Sequence, residues 1–335
     1  MQNPLVSILI PFKNTSEFLP DCLNSIIEQT YSHWEILAVD DGSSDSSYQI
    51  VEEYAHKDER IKLSKNPGSG IIQALRHAFN QSKGQMVTRM DSDDIMTLNK
   101  LEVMVNSLLR EGNGHVAVGQ VTYFSSRGIS NGYARYEKWL NYLTENGSNY
   151  NEIYKECVIP SPCWMTYRDD LLKVGAFDSN RYPEDYDLTF RFYRNNLKCI
   201  PCNQVLHYWR DYDHRTSRTS EHYAQNYFLG IKLHYFLNID YKKDSVLTIW
   251  GAGYKGKEIA KGLQKAGLKF IWLCDNPNKI GKDIYGVEMQ HFSTLKNIEN
   301  PQSIITVANE QAQESIKKYL AKLGHQNMED YFFFC

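Results

Sequence analysis

At 335 residues the chain is long enough for about two domains of roughly 150 residues each. Its composition, 42% hydrophobic and 23% charged, is that of an ordinary globular protein with apolar material for two cores. A net charge of −3 excludes a strongly basic nucleic-acid footprint, and no apolar run approaches the roughly 18 residues of a transmembrane helix.

The opening Met1-Gln2-Asn3-Pro4 leads straight into an apolar run at 6–10, which predicts a first strand and not a signal peptide. Phe18, Leu19, Cys22, Leu23, Ile26 and Ile27 recur at helical spacing, with Ser16 as the expected cap and Pro20 in the first turn. A second strand at 35–39 ends at Asp40-Asp41-Gly42-Ser43, and a helix follows through Ile50, Val51 and Tyr54. A third strand at 61–63 precedes a helix at 71–79. A fourth, at 85–90, ends at Asp91-Ser92-Asp93-Asp94, before a helix through Leu98, Leu101, Val105 and Leu108. This alternation predicts an α/β fold, a mostly parallel sheet with helices on both faces. Residues 197–206 read as a half-buried strand in which Cys199 and Cys202 serve as small core residues. A zinc site would need Cys157 and Cys163 as well. Seven cysteines without a signal segment suggest reduced thiols and a cytoplasmic protein.

Both acidic clusters fall just past the carboxyl end of a parallel strand, the edge where open α/β sheets bind ligands. Asp91-x-Asp93 puts two carboxylates on one turn, suited to Mg²⁺ or Mn²⁺ beside phosphate oxygens. The same acids would equally suit a plain helix start. Pro183 fits a first helical position, which puts Glu184 and Asp185 on the first turn of a helix through Leu188, Phe192 and Tyr193. The positive end of that helix favours an ionised carboxylate able to accept a proton.

In this order and at these separations, Ser7-Ile8-Leu9-Ile10-Pro11-Phe12-Lys13-Asn14, Asp40-Asp41-Gly42-Ser43-Ser44-Asp45, Met90-Asp91-Ser92-Asp93-Asp94, Gly175-Ala176-Phe177 and Pro183-Glu184-Asp185-Tyr186-Asp187-Leu188 resemble the family 2 glycosyltransferases of the GT-A fold. The resemblance covers roughly residues 4–220. It implies a UDP-sugar donor, with Asp41 at the uracil edge, Asp91 on the ribose side and Pro11 and Lys13 flanking the nucleoside. Asp93 would be the metal ligand and Asp185 the general base of a single inverting displacement. Arg89 would approach the donor or form a strand-end ion pair. His214 resembles the late histidine that completes a metal or phosphate site, or is an ordinary surface residue. Glu184, Trp164, Arg210 and Arg215 are candidates for the acceptor side or a phosphate flap.

Toward the carboxyl end, a strand at 247–250 enters Gly251-Ala252-Gly253-Tyr254-Lys255-Gly256. A helix through Ile259, Ala260 and Leu263 follows, then a strand at 270–273 with Asp275 at its end. That order is the dinucleotide-binding fingerprint, but about 90 residues are too few for both mononucleotide halves, so NAD is not expected. Asn276-Pro277-Asn278-Lys279-Ile280-Gly281 and Gly286-Val287 resemble the small Rossmann-like domains appended to sugar-modifying enzymes. Residues 241–335 carry a net charge of +3 against −6 for residues 1–240, a sign change that supports a boundary near 240. The expected layout is a GT-A domain at 1–218, a helical connector at 219–243 and a Rossmann-like domain at 244–335.

With Arg135-Tyr136-Glu137-Lys138-Trp139-Leu140-Asn141-Tyr142-Leu143-Thr144 and Thr248-Ile249-Trp250-Gly251-Ala252-Gly253, the whole layout resembles the group containing the queuosine-tRNA galactosyltransferases. That resemblance implies UDP-galactose as donor and queuosine in tRNA as acceptor. The rival acceptor is a lipid-linked or cell-surface glycan, and the rival of another class is a non-catalytic nucleotide-sugar-binding protein.

Overall fold

The structure, a computed structural model, describes residues 3–215, 218 and 228–335. The 219–227 part of the expected connector lies outside the described residues. The chain divides into two compact units.

The first unit opens with β1 (Val6–Phe12), α1 (Leu19–Ile27), β2 (Trp34–Asp40), α2 (Ser47–Lys57), β3 (Ile61–Lys65), α3 (Ile71–Gln81) and β4 (Met86–Arg89). Every residue of β1, β2 and β4 is buried, as central parallel strands covered on both faces require. β5 (Ile95–Met96), α4 (Lys100–Glu111), β6 (His115–Phe124), α5 (Asn131–Glu145), β7 (Trp164–Tyr167), α6 (Arg168–Lys173), α7 (Glu184–Arg194) and β8 (Lys198–Arg210) follow. They complete an eight-stranded sheet in the order β3-β2-β1-β4-β7-β6-β8-β5. Strands β3 to β4 of that order run parallel. β7 is antiparallel to both neighbours, and β6 and β8 are parallel to one another. The core packs Ile8 and Ile10 of β1 and Leu23 and Ile26 of α1 with Leu101, Met104 and Leu108 of α4. Each such side chain contributes about 1.5–3 kcal/mol on full burial.

Two local expectations are corrected. Ser16 does not cap α1: Phe18 holds that position without a side-chain bond, and the Ser16 N–H donates instead to Asp45. Leu98 precedes α4 and is 59% exposed, because the turn after β5 delays the helix to Lys100.

The second unit holds α8 (Leu229–Ile239), β9 (Val246–Trp250), α9 (Tyr254–Lys265), β10 (Ile271–Cys274), β11 (Asp283–Ile284), β12 (Val287–His291), β13 (Pro301–Ile305), α10 (Glu310–Lys322) and β14 (Tyr331–Phe333). Its sheet runs β11-β12-β10-β9-β13-β14, parallel except at β11. The glycine turn joins β9 to α9 at close quarters: a Cβ on Gly256 would stand 2.1 Å from the Gly251 carbonyl oxygen.

The boundary differs from expectation in two ways. The division falls after Arg215, and the second unit also takes residues 151–156. There Tyr154 stacks on Phe334 at 5.1 Å, and the edges of Phe236 and Phe332 meet it at 6.0 and 5.6 Å. Its hydroxyl donates to Asp240. Since Phe236 lies on α8, that helix is part of the second unit's core and no separate connector.

Candidate active site

The carboxyl ends of β1, β2 and β4 lie side by side, with Phe12 in register with Asp40 and Leu9 with Arg89. Past β2, Asp41 Oδ1 accepts from Asn66 Nδ2 at 2.6 Å and from the Gly70 N–H at 2.8 Å. Its other oxygen lies 4.0 Å from Lys13 Nζ. Gly70 takes φ +85° and ψ 160°, a region essentially reserved for glycine that costs other residues about 1–3 kcal/mol. Asn14 joins the loops beyond β1 and β2, accepting from the Ser44 N–H at 2.8 Å. Pro11 is buried within β1.

Arg89, buried at the end of β4, organises the next part of the crevice. Its Nη2 stands 2.8 Å from Asp91 Oδ1, and its Nη1 donates to Glu184 Oε1 at 2.8 Å. Burial disfavours the guanidinium charge, but Asp91, Glu184 and Asp185 outweigh it and hold the charge firmly. Glu184 and Asp185 open α7, just after Pro183 at the N-cap. Burial, then the charge of Glu184, push the Asp185 carboxyl up to about 7, against the pull of Arg89.

Asp93 lies on the acid turn with its Oδ2 accepting from the Tyr212 hydroxyl at 2.9 Å. The Asp93 carbonyl accepts from Arg210 Nε at 2.7 Å. Burial, then the charges of Asp94 and Asp91, raise the Asp93 carboxyl to about 7. Arg215 faces these acids, its guanidinium 5.0 Å from the Trp209 ring.

The structure thus joins Arg89, Asp91 and Glu184 through ion pairs, with Asp185 next to Glu184 on α7, and Asp41 with Lys13. Arg210 and Arg215 gather around the acid turn. Two expected residues fall elsewhere. Trp164 is 3% exposed with its ring edge-on to Phe192 at 5.7 Å, so it packs in the interior and presents no acceptor surface. His214 is exposed, and Tyr212 is the residue that reaches Asp93. Among the described residues, no three His, Cys, Asp or Glu side chains converge as a metal cluster. The donor set nevertheless fits a hard cation that takes its remaining ligands from a diphosphate and water: two carboxylates on one turn, with burial and the neighbouring acids raising Asp93. All seven cysteines are free thiols, with Cys199 and Cys202 on β8. Sequence reasoning missed Asn66, Gly70 and Tyr212. The small Asn-Pro-Gly-Ser-Gly stretch at 66–70 was the available signal for the first two.

Residues 7–175, half of the chain, match the family described as Glycosyl transferase family 2. Among curated proteins, the chain is 28% identical over 211 residues to Glycosyltransferase GlyA of Streptococcus pneumoniae, covering 61% of this chain but only 30% of GlyA. It is 29% identical over 212 residues to the UDP-Glc:alpha-D-GlcNAc-diphosphoundecaprenol beta-1,3-glucosyltransferase WfgD of Escherichia coli, covering 63% of this chain and 78% of WfgD. Among solved structures, S. aureus TarS 1–349 in complex with UDP-GlcNAc superposes with a TM-score of 0.54 at 20% identity, over 71% of this chain and 68% of TarS. At that identity it shows a shared fold, the GT-A arrangement. Among the described residues, no helix is long and apolar enough to cross a membrane. The crevice beyond β1, β2 and β4 sits in the part of the chain that carries these matches, and the chain belongs to glycosyl transferase family 2.

Proposed function

We propose that the chain transfers a hexose from a UDP-sugar to an acceptor hydroxyl, with inversion and with the help of Mn²⁺ or Mg²⁺. The observation that carries this reading is the double ion pair of Arg89, which draws the donor-side Asp91 and the first turn of α7 into one crevice. Asp41, held on one oxygen by Asn66 and Gly70, offers the other to the uracil edge beside Lys13 and Pro11. Asp91 receives the ribose. Asp185 takes the proton of the acceptor hydroxyl as its oxygen bonds to the anomeric carbon, while the bond to UDP breaks on the opposite face. One displacement inverts the centre, in contrast to the double displacement of retaining enzymes. Asp93, aided by Asp91, would hold the cation, whose charge would neutralise the departing diphosphate. Tyr212 and Arg210 fix Asp93, and Arg215 adds positive charge on the diphosphate side.

For the acceptor, the activity named for WfgD, on a sugar diphosphoundecaprenol, supports a lipid-linked or surface glycan. The resemblance of the sequence layout to the queuosine-tRNA galactosyltransferases supports galactose as the sugar and queuosine in tRNA as acceptor. It also supports a Rossmann-like reading of the second unit's parallel sheet, with no requirement for NAD. A UDP-release assay with UDP-galactose, UDP-glucose and UDP-GlcNAc separates these arms. Stimulation by deproteinised small RNA containing queuosine favours tRNA, and stimulation by glycan extracts favours a glycan. Asp93→Ala should abolish cation-dependent UDP binding. UDP-sugar binding without turnover for any acceptor would leave only the non-catalytic binding protein.

A further inference from the structure

Behind the acid turn runs a line of buried polar side chains that the reaction above leaves unused. Lys100, the first residue of α4, is fully buried. Its Nζ donates to the Pro162 carbonyl at 2.6 Å and stands 3.2 Å from His207 Nδ1. His207, on β8, is also fully buried, and its Nε2 stands 2.9 Å from Asp94 Oδ2. The other oxygen of Asp94 accepts from the Arg210 N–H at 2.8 Å, and Arg210 in turn donates to the Asp93 carbonyl.

The placement of Lys100 is costly twice over. Its ammonium is stripped of water, and it sits at the positive end of a helix dipole. Burial pulls its pKa down, and the charges of the acids Asp94 and Asp91 offset part of that cost. An ammonium has donors only, so Nδ1 of His207 accepts, Nε2 carries the proton, and the neutral ring donates to Asp94. Burial, then the charge of Lys100, keep that imidazole from gaining a second proton. β5 adds to the same joint, with Met96 in register with His207 and Ile95 with Tyr208. Asp94 therefore ties the acid turn to the exit of β8, from which Arg210 and Tyr212 reach Asp93.

We propose that Lys100, His207 and Asp94 form a buried positioning relay that sets the Asp93 carboxylate for its cation. The proposal rests on the reading of Asp93 as a cation ligand. Outer-shell partners of this kind change metal affinity by about 10–100-fold when severed.

The test measures Mn²⁺ binding to the full chain at saturating UDP, from the electron paramagnetic resonance signal of unbound Mn²⁺, with thermal melts as a check on folding. His207→Leu severs the relay, Lys100→Met removes its charged end, and His207→Gln supplies one acceptor and one donor in place of the imidazole. The expected result is a loss of about tenfold or more in Mn²⁺ affinity for the Leu and Met variants, with the Gln variant within about threefold of the wild type. Unchanged affinity in the Leu and Met variants overturns the relay. Equal losses in the Gln and Leu variants do so too, since packing alone would then explain them. If His207→Leu fails to fold, Lys100→Met decides, and failure of both to fold places the line in folding and overturns its role at the cation. Absence of Mn²⁺ binding by the wild type overturns the cation assignment itself, a result distinct from the others.

Discussion

A carboxyl raised to about 7, as on Asp185, is half ionised near neutral pH, which suits a proton acceptor working there. The base must be ionised to act. At limiting substrate, where kcat/KM reports the free enzyme, the transfer rate should therefore fall about tenfold per pH unit below about pH 6 and level off above about pH 8. Initial rates across that range check the sign, and a flat profile would remove Asp185 from the role. Asp185→Asn should retain UDP binding in a titration while lowering turnover by about 10²–10⁴-fold. Loss of both together would mean that the residue holds the donor. Arg89 is the hub on which this depends, since its ion pair with Glu184 offsets part of the charge that stands beside Asp185.

At the scale of elements, the loop between β3 and α3 presents Asp41. Asn66→Ala removes a 2.6 Å bond to that carboxylate, worth about 1.5 kcal/mol for a charged partner, so UDP affinity measured calorimetrically should fall about tenfold. Unchanged affinity would detach Asp41 from the pyrimidine. Strands β1, β2 and β4 were legible because fully buried parallel strands read as unbroken apolar runs, and the acids stood out at their ends. The mixed second half of the sheet was not, since β7 takes its place by pairing with β4 and β6 across distant sequence. Periodicity carries no trace of such pairing. Asn66 and Tyr212 escaped for the same reason: the Tyr212 hydroxyl meets Asp93 across 119 positions. His214 drew notice as a residue type, but the chain turns after β8 in a way that brings the phenol inward and leaves the imidazole exposed.

For the molecule as a whole, burial and neighbouring acids raise Asp93 and Asp185 to about 7, well above the unfolded value near 4. The folded chain then binds more protons than the unfolded one, so their contribution to stability is present below about pH 4 and is lost as pH rises toward 8. Asp45, brought down to about 2 by hydrogen bonds from Ser47 and Ser16 despite burial, works in the opposite sense only below about pH 4. The melting midpoint of the ligand-free protein should therefore decline between about pH 5 and pH 8, and UDP with Mn²⁺ should flatten that decline. A midpoint that climbs over this range would show that the acid turn is well solvated. The loan of residues 151–156 to the second unit has a bearing on any attempt at dissection. No single backbone cut releases either body whole. Shortening the chain after Arg215 would strip Tyr154 of the rings of Phe236, Phe332 and Phe334 and leave a greasy stub on the fragment. The first unit is thus no detachable cassette, and chimeras must carry the borrowed hexapeptide together with the body that holds it.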